Sequence, residues 1–299
     1  MEIRPRENIS GKRLVIFGCG YIGSEVARQA VGRGLAVTAL TRNPATAAEL
    51  EAVGATVVIA DLASDSWHKQ IIGRVDYVLN CVSSGRGGID GYRRSYIGGM
   101  ESITSWAKKN GGVGTLVYTS STSVYLQDGG VRVDEDASTD GSTERGKILL
   151  EAETVLRSSV GAMARWFVLR LAGIYGPARH ALLDQIATGE VAGRGDHRLN
   201  LIHRDDACAA IWSALLAPPE RTNEIFNVAD NGAAPKSEIT AWLAARMKVS
   251  PPRFTGEPSA NRRPVTPDRI IANDKLRAAL GWRPSYPTFR EGYEKILSR

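Results

Sequence analysis

Cysteine is scarce in this chain: Cys19, Cys81 and Cys208 are the only three in 299 residues, far apart and in no metal-ligand spacing. That excludes a disulfide framework and a cysteine-built metal centre, and makes a reducing cytoplasm the expected setting. Long apolar runs are missing too; none approaches the ~18 residues that a membrane helix needs. The opening "MEIRPRENISGKR" holds no apolar leader core, and the run behind it is only "LVIFG". No segment repeats at a solenoid period. Basic residues outnumber acidic ones, 38 to 32, yet no basic arm gathers them. With no nucleic-acid motif either, neither nucleic acid nor a membrane is an expected partner. What remains is ordinary soluble composition, 43% hydrophobic and 23% charged, in a chain long enough for a large core.

The order of what is present is an alternation. "RLVIFG", "LAVTALTR", "ATVVIADL", "VDYVLNCVS", "VGTLVYTSS" and "ARWFVLRLAG" read as buried strands. Between them, "EVARQAVGRG", "ATAAELEAVG", "ESITSWAKKNGG" and "GKILLEAETVLRSS" read as helices, the first three closed by glycine. Such alternation predicts an α/β protein with a mostly parallel sheet covered by helices on both faces. After about Leu171 the rhythm loosens. We read residues 1–170 as one domain and 171–299 as mainly a smaller lobe, with segments near 200–230 returning to the first.

The first strand runs into "GCGYIG", with Gly18, Gly20 and Gly23 at the spacing of a phosphate-binding turn. The context gives the spacing its meaning, because the motif follows a strand and opens a helix. Gly18 permits the tight turn, Gly20 lets the backbone approach a pyrophosphate, and Gly23 lets the helix pack on the sheet. Tyr21 and Ile22 fill out the loop, and the helix N-terminus holds the phosphates. An acidic residue is expected roughly 20 residues further on where NAD is the ligand. The second strand ends instead on Thr41, Arg42 and Asn43. Arg42 suits the 2′-phosphate of NADP, which is the expected cofactor, with NAD as the alternative.

Seven segments occur in an ordered series: the glycine motif, "ADL" at 60–62, "YTSSTSVY" at 118–125, "LRLAGIYGP" at 169–177, "NLIHRDDACAAI" at 200–211, "FNVAD" at 226–230 and "KLRAALGWRPSYP" at 275–287. Across nearly its whole length the chain resembles the extended short-chain dehydrogenase/reductases, the NAD-dependent epimerase/dehydratase family. The resemblance implies a Rossmann doubly wound parallel sheet with a smaller C-terminal substrate-binding lobe. It places Asp61 and Leu62 beside the adenine, and Cys81, Val82 and Ser83 in a loop running along the cofactor. Ser121 matches the catalytic serine, and Lys147 the lysine that binds the nicotinamide ribose. Tyr175, Gly176 and Pro177 match a segment beside the nicotinamide. His203 with Asp205 and Asp206 matches a segment expected to tie the lobes together near the substrate pocket.

One expected residue is missing. The family pattern has a tyrosine four residues ahead of the lysine as general acid/base, and Thr143 stands there. A threonine hydroxyl is shorter and is not usefully acidic near neutral pH. The chain therefore resembles an atypical subgroup that lacks the tyrosine. His180, His203, Lys147 and Tyr96 are the candidate substitutes, with His180 taken alongside Ser121 and Lys147 as the catalytic set. Arg262, Arg263 and Arg269 would suit an anionic substrate, though a solvated basic loop explains them equally. Trp106, Trp166 and Trp212 read as core, and Cys19 as unreactive. Two functions stay open: an oxidoreductase or epimerase/dehydratase-like enzyme with a non-standard proton donor, acting on an unidentified small molecule such as a nucleotide-linked anion; or a non-catalytic NADP-binding sensor. A homodimer is among the assemblies open to it.

Overall fold

The structure, a computed structural model, describes residues 8–84, 87–257 and 266–298. Its strands β1 (Arg13–Phe17), β2 (Ala36–Thr41), β3 (Thr56–Ile59), β4 (Val75–Asn80) and β5 (Val113–Ser121) alternate with helices α1 (Gly23–Gly32), α2 (Pro44–Ala52), α3 (Gly88–Arg93) and α4 (Gly99–Lys109), and α5 (Glu144–Ser158) follows. The central sheet has seven strands, in the order Glu224–Val228, Met163–Leu171, β5, β4, β1, β2, β3. β1 pairs in parallel with both β2 and β4, β2 with β3, and β4 with β5. This is the expected mixed α/β Rossmann architecture. Leu14, Val15, Ile16 and Phe17 are all buried, as a strand covered on both faces requires.

Local signals set the boundaries. Asn43 caps α2 by accepting the Ala45 N–H at 3.0 Å, with Pro44 at the first helical position. Gly34 and Gly54, at φ +79° and +97°, end the turns after α1 and α2. Under the sheet, Phe17 packs on Trp67 and Trp106 at ring separations of 4.8 and 5.7 Å. The Trp106 indole N–H donates to the Ile71 carbonyl at 2.8 Å. Trp106 and Trp212 are core as expected, whereas Trp166 is only half-buried.

Ahead of α4, α3 runs through a π-helical turn, Arg94–Gly98, into α4, in spite of glycines at 88, 91, 98 and 99. The burial of Ile97, Met100 and Ile103 supplies the reason: packing of that face outweighs the poor helix propensity of glycine.

The chain divides into two compact units. The first comprises Met1–Ser120, Glu144–Val168 and Ala214–Glu224; the second comprises Ser121–Thr143, Leu169–Ser213 and Ile225–Arg299. The second has its own core, in which Tyr175, Ile186, Val191, Ile239, Leu243, Phe289 and Tyr293 are buried together. Short parallel pairs support it, Gly173–Tyr175 with Leu201–His203 and Val131–Val133 with Arg269–Ile271. The buried Asp206 carboxylate accepts the Ser285 and Tyr286 N–H groups at 2.7 and 2.9 Å, and the Trp282 indole donates to the Asp206 carbonyl at 3.2 Å. That fastener explains why "HRDD" and "GWRPSYP" go together. Among the described residues no helix is long and apolar enough to cross a membrane.

Candidate functional site

The order β3-β2-β1-β4-β5 reverses direction between β1 and β4, and ligands of open α/β sheets bind at the carboxyl ends of strands at such a point. Two loops meet there. Gly18 leaves β1 at φ +92°, and a Cβ on it would lie 2.5 Å from the Val82 backbone. A Cβ on Gly23 would lie 2.2 Å from the Gly18 carbonyl oxygen and 2.7 Å from the Cys81 sulfur. The Cys81 thiol donates to the Gly18 carbonyl at 3.0 Å, and the Cys81 N–H bonds to the Phe17 carbonyl. The loop is thus clamped at both ends. At Gly20, between them, a Cβ would meet nothing within 4 Å, so bare backbone faces open space. These residues fit a dinucleotide pyrophosphate, held on backbone N–H groups at the start of α1. Cys19 is buried, and burial pushes its thiol up to about 12, which makes it inert.

The ends of β2 and β3 are tied side by side by the Ala60 N–H to the Thr41 carbonyl. Thr41 is buried and its hydroxyl accepts the Asn43 N–H, while Arg42 is exposed. Asp61 is engaged within the protein: its Oδ1 accepts the Ala63 N–H at 3.0 Å and its Oδ2 takes the Arg94 guanidinium at 2.8 and 3.1 Å. Leu62 is buried and Ser83 exposed. Arg94 had no signal in the sequence, because nothing local marks a partner 33 residues away.

On α5, Lys147 lies exposed in the first helical turn. Deeper on that helix, the buried Glu153 accepts the Ser120 hydroxyl at 2.6 Å. Tyr96 sits in the π-helical turn with its ring 4.5 Å from that of Tyr92 and its hydroxyl oxygen against the Ser84 N–H, at the end of the Cys81–Ser84 loop. Burial, then the Tyr92 phenol, push the Tyr96 hydroxyl well above its usual range, so it is a protonated donor at neutral pH.

In the second unit, the Ser121 hydroxyl accepts the Ser123 N–H at 3.1 Å and caps a short 3₁₀ turn, which leaves its own proton to give. Thr143 is exposed. Tyr175 is buried; its ring stacks on Tyr293 at 4.6 Å, and its hydroxyl sits where a Cβ on Gly292 would be. His203 is 1% exposed and packed at 4.1 Å from the Tyr286 ring, and its Nδ1 accepts the Asp205 N–H, a structural placement. A cavity of about 380 Å³ opens in this unit, with Arg179, His180, Arg194, His197, Asn200 and Lys236 in its wall and Tyr175 and Tyr293 at its apolar side. Burial, then the Lys236 charge, hold the His197 imidazole below its usual range. Arg269 is buried, with its guanidinium donating to the Thr122 carbonyl at 3.1 Å; Arg262 and Arg263 lie outside the described residues.

Known proteins of similar sequence and shape bear on this arrangement. Protein YeeZ of Escherichia coli (strain K12) is 26% identical over 280 residues, covering 92% of this chain and 97% of its own. A functionally unknown conserved protein from Silicibacter pomeroyi DSS superposes with a TM-score of 0.77 at 23% identity, over 96% of this chain and 98% of that one. UDP-glucuronic acid 4-epimerase from Bacillus cereus, solved with UDP-glucuronic acid and NAD, superposes with a TM-score of 0.80 at 18% identity, over 96% and 98% of the two chains. These structures share its fold. Residues 14–229 match the NAD dependent epimerase/dehydratase family, and the chain belongs to that family.

Proposed function

We propose that the chain is an NAD(P)-dependent epimerase/dehydratase-type oxidoreductase that favours NADP(H) and acts on an anionic, nucleotide-linked small molecule. The observation that carries the dinucleotide is the β1–α1 loop, clamped at Gly18 and Gly23 and open at Gly20. When bound, the nicotinamide would supply hydride chemistry. The chain's own parts divide the rest of the work. Backbone N–H groups after Gly18 would hold the pyrophosphate, Arg42 the 2′-phosphate, and Lys147 the nicotinamide ribose. Ser121 donates a hydrogen bond from its hydroxyl to a substrate oxygen and polarises it, keeping its proton. Thr143 is too short and too weakly acidic to act as the acid. His180, half-buried in the cavity wall with its Nδ1 3.7 Å from Asp184, and the Tyr96 phenol are the donors within the two units.

The cavity wall supports this substrate class. It carries two arginines, a lysine and two histidines, and no carboxylate among the described residues, a lining that favours phosphate or carboxylate groups. The UDP-glucuronic acid in the Bacillus cereus epimerase is a ligand of that kind. Calorimetric titration with NADP⁺ and NAD⁺ tests the cofactor: NADP⁺ binds several-fold tighter in the unmodified protein, and Arg42→Ala removes most of the difference. Equal affinities would sink the preference. A panel of nucleotide-linked sugars, followed by nicotinamide absorbance, tests the chemistry. Tight NADP(H) binding with no turnover and no substrate binding would favour the sensor reading, which the threonine at position 143 independently supports.

A further inference from the structure

Arg94 is the first residue of the π-helical turn, a backbone form frequently found at functional sites. Its Nε and Nη2 lie 3.1 and 2.8 Å from one oxygen of Asp61. Arg94 is 63% and Asp61 37% exposed, and a pair this accessible contributes little to folding stability. Its position is the notable feature. Asp61 follows β3 next to Arg42 at the end of β2, where the Ala60 N–H bonds to Thr41. Burial pushes the Asp61 carboxyl up, but the Arg94 hydrogen bonds, the Ala63 N–H and the charges of Arg94 and Arg42 together hold it below its usual range. Asp61 is therefore a fixed negative charge within the field of Arg42. Alone, it would cancel Arg42 and repel a second negative group brought to the same edge. With Arg94 on it, the three side chains sum to one positive charge.

We propose that Arg94 is a specificity-determining residue that acts through Asp61: it neutralises the carboxylate so that Arg42 can select a 2′-phosphorylated adenosine ribose. This rests on the reading of Arg42 given above. It also accounts for an acidic residue being tolerated at the edge where a doubly negative phosphate is to sit.

The test is titration calorimetry with NADP⁺, NAD⁺, 2′,5′-ADP and 5′-AMP on the full chain and on Arg94→Ala, Arg94→Lys, Asp61→Asn and the Arg94→Ala/Asp61→Asn double variant. Thermal melts check that each is folded. Arg94→Ala should lower the NADP⁺/NAD⁺ and 2′,5′-ADP/5′-AMP affinity ratios by about fivefold, the scale of an exposed charge pair. Arg94→Lys should keep most of the ratio, Asp61→Asn should raise it, and the double variant should return close to the unmodified protein. A merely structural Arg94 would weaken all four ligands alike and leave the ratios unmoved. That result, or a double variant as unselective as Arg94→Ala, overturns the inference and leaves the reading of Arg42 standing. An unmodified protein with no preference for the 2′-phosphate sinks the reading of Arg42 itself, and this inference with it.

Discussion

Replacing Asp230 by asparagine removes a charge from the interior of the second unit. Asp230 is 5% exposed; its Oδ1 accepts the Gly232 N–H at 2.9 Å, and its Oδ2 has no hydrogen-bond partner among the described residues. Burial raises its carboxyl, the Gly232 N–H offsets part of that, and the charges of Asp206 and Glu291 add to the rise, which carries the pKa from 3.8 to about 7. The folded state therefore binds the proton more tightly than the unfolded chain does. The stability this contributes is fully present below the unfolded value of 3.8 and is lost as pH rises through about 7. At about 1.4 kcal/mol per pKa unit, the loss across that window is on the order of 4 kcal/mol. Asparagine keeps the acceptor for Gly232 and carries no charge. Urea unfolding of both proteins from about pH 4 to about pH 8 is the assay. The variant should be close to the unmodified protein at the acid end and more stable by roughly 2–4 kcal/mol at the alkaline end. Two stability curves running parallel over the window would refute the reasoning, because they would show that Asp230 does not titrate there.

Three further outcomes are expected. Gly20→Ala should leave the melting temperature unchanged, since its Cβ meets nothing within 4 Å, yet weaken dinucleotide binding at least tenfold, about 1.4 kcal/mol; calorimetry and a melt on the same sample check both halves. Lys147→Met should cost cofactor binding about 1–3 kcal/mol, the scale of a lost charged hydrogen bond, while Thr143→Ala leaves it nearly unchanged; a Thr143→Ala protein that binds normally but loses activity a thousandfold would make threonine a catalytic group. Ser120→Ala should destabilise by roughly 1–3 kcal/mol by stripping a buried carboxylate of a partner, and Glu153→Gln in the same background should recover part of it; an unfolding midpoint unmoved by Ser120→Ala would show that the Ser120–Glu153 contact carries no weight.

The strands and helices of the first unit were legible because each carries its own signal: an apolar run buried on both faces, a cap at Asn43, a glycine stop at Gly34 or Gly54. The phosphate loop was legible from its spacing between a strand and a helix, although the steric demand on Gly18 comes from Cys81 and Val82, just past β4. What was not legible depends on distant partners. The stretch from 88 to 99 is rich in glycine and carries no helical signal of its own; the burial of Ile97 and Met100 makes it helical. Asp61 could be placed by its motif, but nothing in "ADL" reveals that Arg94 occupies its carboxylate. Likewise "HRDD" and "GWRPSYP" were two separate motifs until Asp206 joined them.

The same contrast separates the binding half of the site from its chemistry. A pyrophosphate cradle is made of backbone, so its requirements fall on glycines, and Gly18 and Gly23 cannot be exchanged without a clash such as the 2.2 Å approach at Gly23. A proton donor is a side chain, and any group with a suitable pKa and reach can supply one. The resemblance puts Thr143 where the family pattern has a tyrosine, an expectation that says little against dinucleotide binding. The Tyr96 phenol, half-buried, protonated and held against the Ser84 N–H, and His180, in a cationic wall, offer different answers. A phenol raised by burial gives up a proton only when a cation is brought close. Paired His180→Gln and Tyr96→Phe variants discriminate between them: turnover lost in the first alone points to the imidazole, and turnover lost in the second alone points to the phenol.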